Sequence, residues 1–298
     1  MHVRPIHLVC LLCVFVAFIP GCATAPRSPA GTPSLWRGDG TPATSEQARA
    51  LVAHADFILL GENHGHALNL TQNAERWAWI VESRPKAALA LEFFERDQQV
   101  YLDDYLAGLI DEPTFRQLAR KTTESGYPAG HRAMVEAAKA SGRPVIAANA
   151  PRVYVRRART NGLESLRSLT PEQQRLLRLP DVVPTGRYRD DFGAFMGQTP
   201  ATAARVDAMF LSQSVWDWTM ADSLVRASAA STPVVLVVGR FHIDHHGGLV
   251  QALERLAPGK TIVTITSIDA WAQSELAPDD KGRADLVSYV GPSNTREP

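Results

Sequence analysis

Five short apolar runs, separated by longer stretches of helical pattern, constrain this chain more than any other feature. They are Asp56 to Gly61 (DFILLG), Ala87 to Glu92 (AALALE), Arg143 to Asn149 (RPVIAAN), Pro233 to Gly239 (PVVLVVG) and Thr261 to Ile268 (TIVTITSI). The runs are apolar nearly throughout instead of alternating, as strands covered on both faces must be. Between them lie NLTQNAERWAWIVES, RDQQVYLDDYLAG and GHRAMVEAAKA, whose apolar spacing is helical. Strand, helix, strand at this spacing predicts an α/β fold, a mainly parallel sheet flanked by helices. From about residue 150 to 232 only helical pattern occurs, so a helical subdomain is inserted before the fourth strand. Its last helix, TAARVDAMFLSQSVWDWTMADSLVRASAA, is apolar all round and is expected to be buried. Met209, Phe210, Trp216, Trp218 and Met220 on it read as core.

The chain before this pattern has a different character. Residues 1–21 carry Arg4, an apolar segment from Leu8 to Ile19 and then Pro20-Gly21 before Cys22. That segment is shorter than the roughly 20 apolar residues of a membrane-spanning helix, and it reads as a cleaved export signal. The ending IPGC resembles a bacterial lipobox, which makes Cys22 the expected site of lipidation and of a membrane anchor. Residues 22–44 are rich in Pro, Gly, Ser, Thr and Ala and are expected to form a flexible tether. Thr44 and Gln47 then have capping-box spacing, so a helix opens a single domain spanning 45–298. The only cysteines are Cys10, Cys13 and Cys22, which excludes zinc-finger, iron–sulfur and cysteine-nucleophile chemistry downstream. Lysine plus arginine equal aspartate plus glutamate at 31 each, so no basic excess points to nucleic acid. The segment RVYVRRAR (Arg152 to Arg159) is a local exception, read as solvent-facing or as a holder of propionates or phosphates.

Candidate chemistry gathers at the ends of the runs. Parallel strands bring these ends to one edge, where open α/β sheets bind ligands. The first run ends in Gly61-Glu62-Asn63-His64, the second in Glu92, the third in Asn149, and the fourth in Gly239-Arg240-Phe241-His242. Two Gly-x-x-His motifs with a glutamate on the strand between suit a divalent metal or acid–base work. Read by itself, GENH is equally a satisfied polar turn, and His66 has less claim to a role. His245 and His246 follow His242 at ligand spacing if that segment is helical, whereas Gly247-Gly248 argue for a loop. Glu95 and Asp97 read as first-turn acids. Gln213 and Asp217, four apart on the long helix, share a face and belong either to a packing network or beside the site. No GxSxG elbow and no GxxxxGK[ST] loop occurs.

Taken in order, LLGENH, ALEFFERDQQ, PVIAANAPR, SQSVWDWTMA and VVGRFHIDHHGGL resemble the ChaN-like haem-binding lipoproteins of the Tiki/ChaN superfamily. The resemblance implies an α/β core with a helical subdomain, anchored in the outer membrane facing the periplasm, that binds haem in haem or iron acquisition. It implies cofactor-binding roles for Glu62, His64, Glu92, Gln213, Asp217 and His242. It also implies a homodimer around haem with a tyrosine as axial ligand, for which Tyr127, Tyr154 and Tyr188 are open candidates. The chain departs from the family pattern at Gly65-His66, at Asn69-Leu70 and at Gly247-Gly248-Leu249.

The wider superfamily, with its erythromycin-esterase-like members, implies an alternative. In that reading a metal-dependent hydrolase binds a divalent metal ion through His64, His242 and Glu92, and Glu62 or Glu92 activates water. A third reading is a lipid-tethered scaffold whose polar cluster is structural. Haem binding predicts an apolar slot with nearby arginines. Hydrolysis predicts a compact cluster of His64, His242 and Glu92 open to water.

Overall fold

The structure, a computed structural model, describes residue 32 and residues 34–293. The expected signal segment and Cys22 therefore lie outside the described residues. All five apolar runs are strands: β2 (Phe57–Glu62), β3 (Ala88–Glu95), β4 (Val145–Asn149), β5 (Val234–Gly239) and β6 (Ile262–Ile268). Two more, β1 (Leu35–Arg37) and β7 (Leu286–Tyr289), complete a seven-stranded sheet in the order β1-β7-β6-β2-β5-β3-β4. Only the β1–β7 pair is antiparallel.

β1 corrects one boundary, since the stretch expected to be tether out to residue 44 contains it. Trp36 is 2% exposed and packs with Ala272, Leu276, Val287 and Tyr289. Thr41 and Ala43 bond back onto the same strand, so residues 35–43 belong to the folded sheet and not to a tether. Three strand residues among Pro and Gly carry too little periodic signal to read, and the indole finds its partners more than 200 residues away.

The sheet is covered on both faces, and side-chain alternation assigns the two layers. Ile58, Leu60, Leu89 and Leu91 point to one layer with Trp77, Ile80, Met134 and Val135. These come from α2 (Ala67–Ser83) and α5 (Ala129–Ala140), and α1 (Ser45–Val52) adds Ala48 and Val52. Phe57, Leu59, Ala90 and Leu236 point to the other layer, with Trp218, Met220, Leu224 and Leu253. Each fully buried Leu, Ile, Phe or Met contributes about 1.5–3 kcal/mol relative to exposure. α1 opens on the expected box: the Thr44 hydroxyl accepts from Gln47 N–H, and the Gln47 side chain accepts from Thr44 N–H. The helices α3 (Gln99–Leu106) and α4 (Glu112–Leu118) follow β3 and close the first layer.

The expected helical insertion is present between β4 and β5. It comprises α6 (Arg152–Asn161), α7 (Glu164–Arg167), α8 (Pro171–Gln174), α9 (Arg187–Phe195) and α10 (Ala203–Ala227). α10 carries Met220, Ala221 and Leu224 into the sheet layer and Val206 and Phe210 into a separate cluster with Tyr188 and Phe192. It is thus the element that joins insertion to sheet. α11 (Gly248–Leu256) packs beside it. Among the described residues no helix is long and apolar enough to cross a membrane.

Candidate functional site

β2, β5 and β3 lie side by side, so their carboxyl ends bring Glu62, Gly239 and Glu92 together. A Cβ at Gly61 would stand 2.9 Å from Ile243 Cδ1 and 3.2 Å from Arg240 Cα, so glycine lets β2 run against the segment after β5. Beyond it Glu62 is buried, and its two oxygens are divided between two imidazoles. His131 Nε2–H donates to Oε2 at 2.9 Å, and His64 Nδ1–H donates to Oε1 at 3.0 Å. An ionised carboxylate only accepts, which fixes both ring nitrogens as donors. The other ring nitrogen of His64, Nε2, faces Glu92 Oε2 at 3.9 Å.

Glu92 is held from below, because Oε2 accepts the Gly239 N–H at 2.6 Å. Its Oε1 lies 3.6 Å from His242 Nε2. His242 Nδ1–H donates to Asp217 Oδ1 at 2.5 Å, and the Tyr188 hydroxyl donates to Asp217 Oδ2 at 2.8 Å. Gln213 Nε2 donates in turn to the Tyr188 oxygen at 3.0 Å. Two carboxylate-oriented imidazoles thus turn their Nε2 atoms toward one glutamate. The sequence-selected residues Glu62, His64, Glu92, Gln213, Asp217 and His242 converge in this arrangement.

Two glycines make the approach geometrically possible. A Cβ on Gly239 would lie 2.7 Å from His64 Nε2, and one on Gly248 would lie 2.3 Å from Asp217 Oδ2. The departure from family pattern at Gly247-Gly248 therefore has a local reason. Asp217 and Tyr188 press against the start of α11, where its backbone N–H groups favour a negative charge.

Burial sorts the charges. The His64 side chain is 63% exposed, whereas Glu92 is 17%, His242 7%, Glu62 2% and Asp217 0%, so solvent meets the cluster at His64. The hydrogen bond to Glu62, supported by the Glu92 charge, raises His64 to about 8 against its burial. Burial alone would raise Glu62, but the charge and hydrogen bond of His131 and the His64 bond outweigh it and lower the carboxyl to about 2. Burial raises Asp217 even beside His242. Burial would lower His242, and the Asp217 and Glu92 charges overcome it and raise it.

The three residues of the alternative metal reading, His64, His242 and Glu92, do converge, with both imidazole Nε2 atoms 3.6–3.9 Å from Glu92. Among the described residues no three His, Cys, Asp or Glu side chains are arranged to hold a metal ion. Each Glu92 oxygen faces a different imidazole Nε2, and both Nδ1 atoms are committed to carboxylates, which fixes the direction of the two Nε2 atoms.

Other residues singled out in the sequence lie elsewhere. His66 caps α2 and bonds Gly291 O at 2.8 Å, tying down the C-terminal segment. His245 and His246 have φ of 52° and 61° and lie in a loop, not on a helix. His246 pairs with Glu254 at the surface, and His245 N–H donates to Arg283 O. Glu95 and Asp97 pair with Arg120. Tyr127 is fully buried against Phe94 and Phe115, while Tyr154 on α6 is partly buried. His131 escaped the sequence reading. Its signal was a polar residue on the buried stripe of α5, beside Met134, Val135 and Ala138.

A second feature lies in the helical insertion, a cleft of about 610 Å³ between α6, α9 and α10. Ala158, Val183, Pro184, Ala204, Phe210 and Leu211 form apolar wall, and Arg159, Arg189 and Asp207 stand at it. Arg189 pairs with Asp207. None of the six converging residues lines this cleft.

Fold and site together define an α/β protein with a carboxylate–imidazole cluster on the sheet's carboxyl edge and a helical lobe beside it. Residues 49–253 match the family described as haem-binding uptake, Tiki superfamily, ChaN, and the chain belongs to that family. It is similar in structure to the Campylobacter jejuni ChaN, which binds haem cofacially. That likeness is at 17% identity and TM-score 0.65, covering 88% of this chain and 98% of that one. A Bacillus cereus protein is similar at 12% identity and TM-score 0.50, covering 84% and 92%. An erythromycin esterase in its open conformation reaches 15% identity and TM-score 0.48, covering 74% and 72%. No curated protein matches the chain.

Proposed function

We propose that this chain is a lipid-anchored haem-binding protein of the cell envelope, held at the outer membrane through Cys22, that takes part in haem or iron acquisition. Membership of the haem-binding uptake family carries the reading. The cleft of the helical insertion supports it, because an apolar slot with arginines at its edge suits a flat apolar ring bearing two carboxylates. Arg159 and Arg189 would hold propionates, and the Val183, Pro184, Phe210 and Leu211 wall would exclude water from the ring. Bound haem would supply an iron centre for ligation or transfer.

Of the three tyrosines, Tyr154 would be the one to hold the haem iron. It lies one turn before Ala158, which lines the cleft, and packs partly buried in the cluster of Ala158 and Leu166 without lining the cleft itself. Tyr127 has no solvent path, and Tyr188 gives its hydroxyl to Asp217 in a setting that pushes its ionisation well above the ordinary value. A homodimer around haem belongs to the same proposal. Titration of the folded chain with hemin tests the reading. A saturable Soret shift, weakened at least tenfold by Arg159→Ala with Arg189→Ala and altered in band position by Tyr154→Phe, is expected. An unsaturable absorbance change would overturn it.

The polar cluster favours a second reading, metal-free general acid–base hydrolysis. Its carrying observation is Glu92 between two carboxylate-oriented imidazoles, one of them open to solvent. His64, raised to about 8, is largely protonated at neutral pH and suits proton donation, and Glu92 suits activation of a water. A panel of ester substrates tests this. Turnover that survives chelation and falls at least a hundredfold in Glu92→Gln and in His64→Ala is the expected outcome, and turnover indifferent to both variants removes the reading.

A further inference from the structure

The buried residues of α2 are apolar in its second half, Trp77 and Ile80, whereas the first half buries Asn69 and Asn73 beside Leu70. Both asparagines are 0% exposed. They face the strand pair β6–β7 where Ser267 and Ser288 stand in register, also buried. A helix packed on a sheet ordinarily puts leucine at such positions, so the polar patch needs a reason.

The hydrogen bonds orient the amides without ambiguity. Asn69 Oδ1 accepts the Asn63 N–H at 2.8 Å, and Asn73 Oδ1 accepts Arg76 Nη1 at 2.8 Å. Each amide nitrogen is thereby fixed as a donor. Among the described residues neither Asn69 Nδ2 nor Asn73 Nδ2 has an acceptor. Arg76, one turn further along the same face, bonds only neutral oxygens: Asn73 Oδ1, Ser267 Oγ at 3.4 Å and Gln72 Oε1 at 3.2 Å. Among the described residues no carboxylate pairs with it. Burial pushes its guanidinium down to about 10, opposed only by the charge of exposed Glu75.

Two amide donors without acceptors, one turn apart, thus share a stretch of α2 with a cation that no carboxylate pairs among the described residues. We propose that Arg76, Asn69, Asn73 and Ser267 form a binding site between α2 and β6 for one small monovalent anion of the halide class. A water could accept from the amides but would leave the guanidinium unneutralised. One formal positive charge among otherwise neutral donors matches a monoanion better than a phosphate. The partial exposure of Arg76 gives solvent anions access.

The site borders the polar cluster through Asn63, which stands between Glu62 and His64. Asn63 N–H is held by Asn69, its Nδ2 donates to Ser267 O at 3.0 Å, and its Oδ1 accepts from Arg240 Nε at 2.8 Å. An anion there fastens α2 to β6 and steadies the turn that carries His64. Nothing in this inference depends on haem or on hydrolysis.

Bromide anomalous scattering from crystals of the folded chain, with thermal unfolding in chloride against gluconate at fixed ionic strength, tests it. A bromide peak beside Arg76 and a saturable rise in Tm with chloride are expected. Arg76→Met should lose the rise. Asn73→Asp, which supplies its own carboxylate to Arg76, should be insensitive to chloride and match the chloride-saturated wild type. Because Asn73→Asp keeps the cation paired, it decides the matter even if Arg76→Met fails to fold. An ordered water without a bromide peak, or a chloride response in Asn73→Asp equal to that of wild type, would overturn the proposal.

Discussion

Glu62, His64 and the glycines beneath them set the behaviour of the cluster at the residue scale. His64 is raised from 6.5 to about 8 on folding, so its contribution to stability is complete below 6.5 and fades as pH rises through about 8. A His64→Gln variant is therefore expected to show its largest stability deficit below 6.5 and little above about 8, read by urea unfolding across pH. Glu62 has the opposite sign. Its carboxyl is lowered from 4.5 to about 2, so its contribution is present above 4.5 and is lost as pH falls toward 2. Glu62→Gln should flatten the acid limb of the stability profile, and an unchanged limb would show that Glu62 is not held by His131 and His64. The glycines differ in consequence. Alanine at Gly248 meets buried Asp217 and Tyr188, which have nowhere to go, and overpacking of this kind costs about 1–3 kcal/mol. Alanine at Gly239 meets the exposed His64 ring closely and Glu92 Oε2 only at ordinary contact distance, so it should leave the midpoint nearly unchanged while moving the His64 NMR titration toward 6.5. The motif GENH showed that Glu62 and His64 belong together, but His131 was invisible as a partner because nothing local separates it from any other helical histidine.

At the scale of elements, α10 links the helical insertion to the sheet. Leu224 is fully buried against the sheet layer, and its neighbours on the helix place Gln213 and Asp217 on the cluster. Leu224→Ala is expected to lower unfolding free energy by about 2–5 kcal/mol, measured by chemical denaturation, without moving Asp217 off His242. The helix and its burial were legible, since 25 residues of mixed apolar sequence leave few alternatives. The inward face of Gln213 and Asp217 was legible as a pair but not as a direction, because their partner His242 arrives from a different strand. Long strands were read from their runs, whereas β1 and β7, with three and four residues, were not. Too few positions remain in such strands for periodicity to speak.

For the whole molecule, β1 decides where the folded part begins. A chain starting at residue 45 loses Trp36 and leaves β7 with an unpaired edge, whereas one starting at residue 32 keeps both. The shorter chain is expected to unfold several degrees lower and to self-associate, as read by calorimetry and light scattering. Equal behaviour of the two would show that β1 is dispensable. By itself the sequence determined the parallel α/β class, the helical insertion, the family and the gathering of polar strand ends, because apolar periodicity and strand direction are local properties. Only the tertiary structure decided which atoms face which. It split Glu92 between two imidazoles, brought His131 to Glu62, put Tyr188 behind Asp217, and left Arg76 among neutral oxygens. His131 and Glu62 stand 69 positions apart, Tyr188 and Asp217 29, and Arg76 and Ser267 191, and the geometry of these pairings follows from how α2, α5 and α10 seat on the sheet. No stretch of sequence carries that seating by itself, since it is fixed by the mutual packing of the two buried layers.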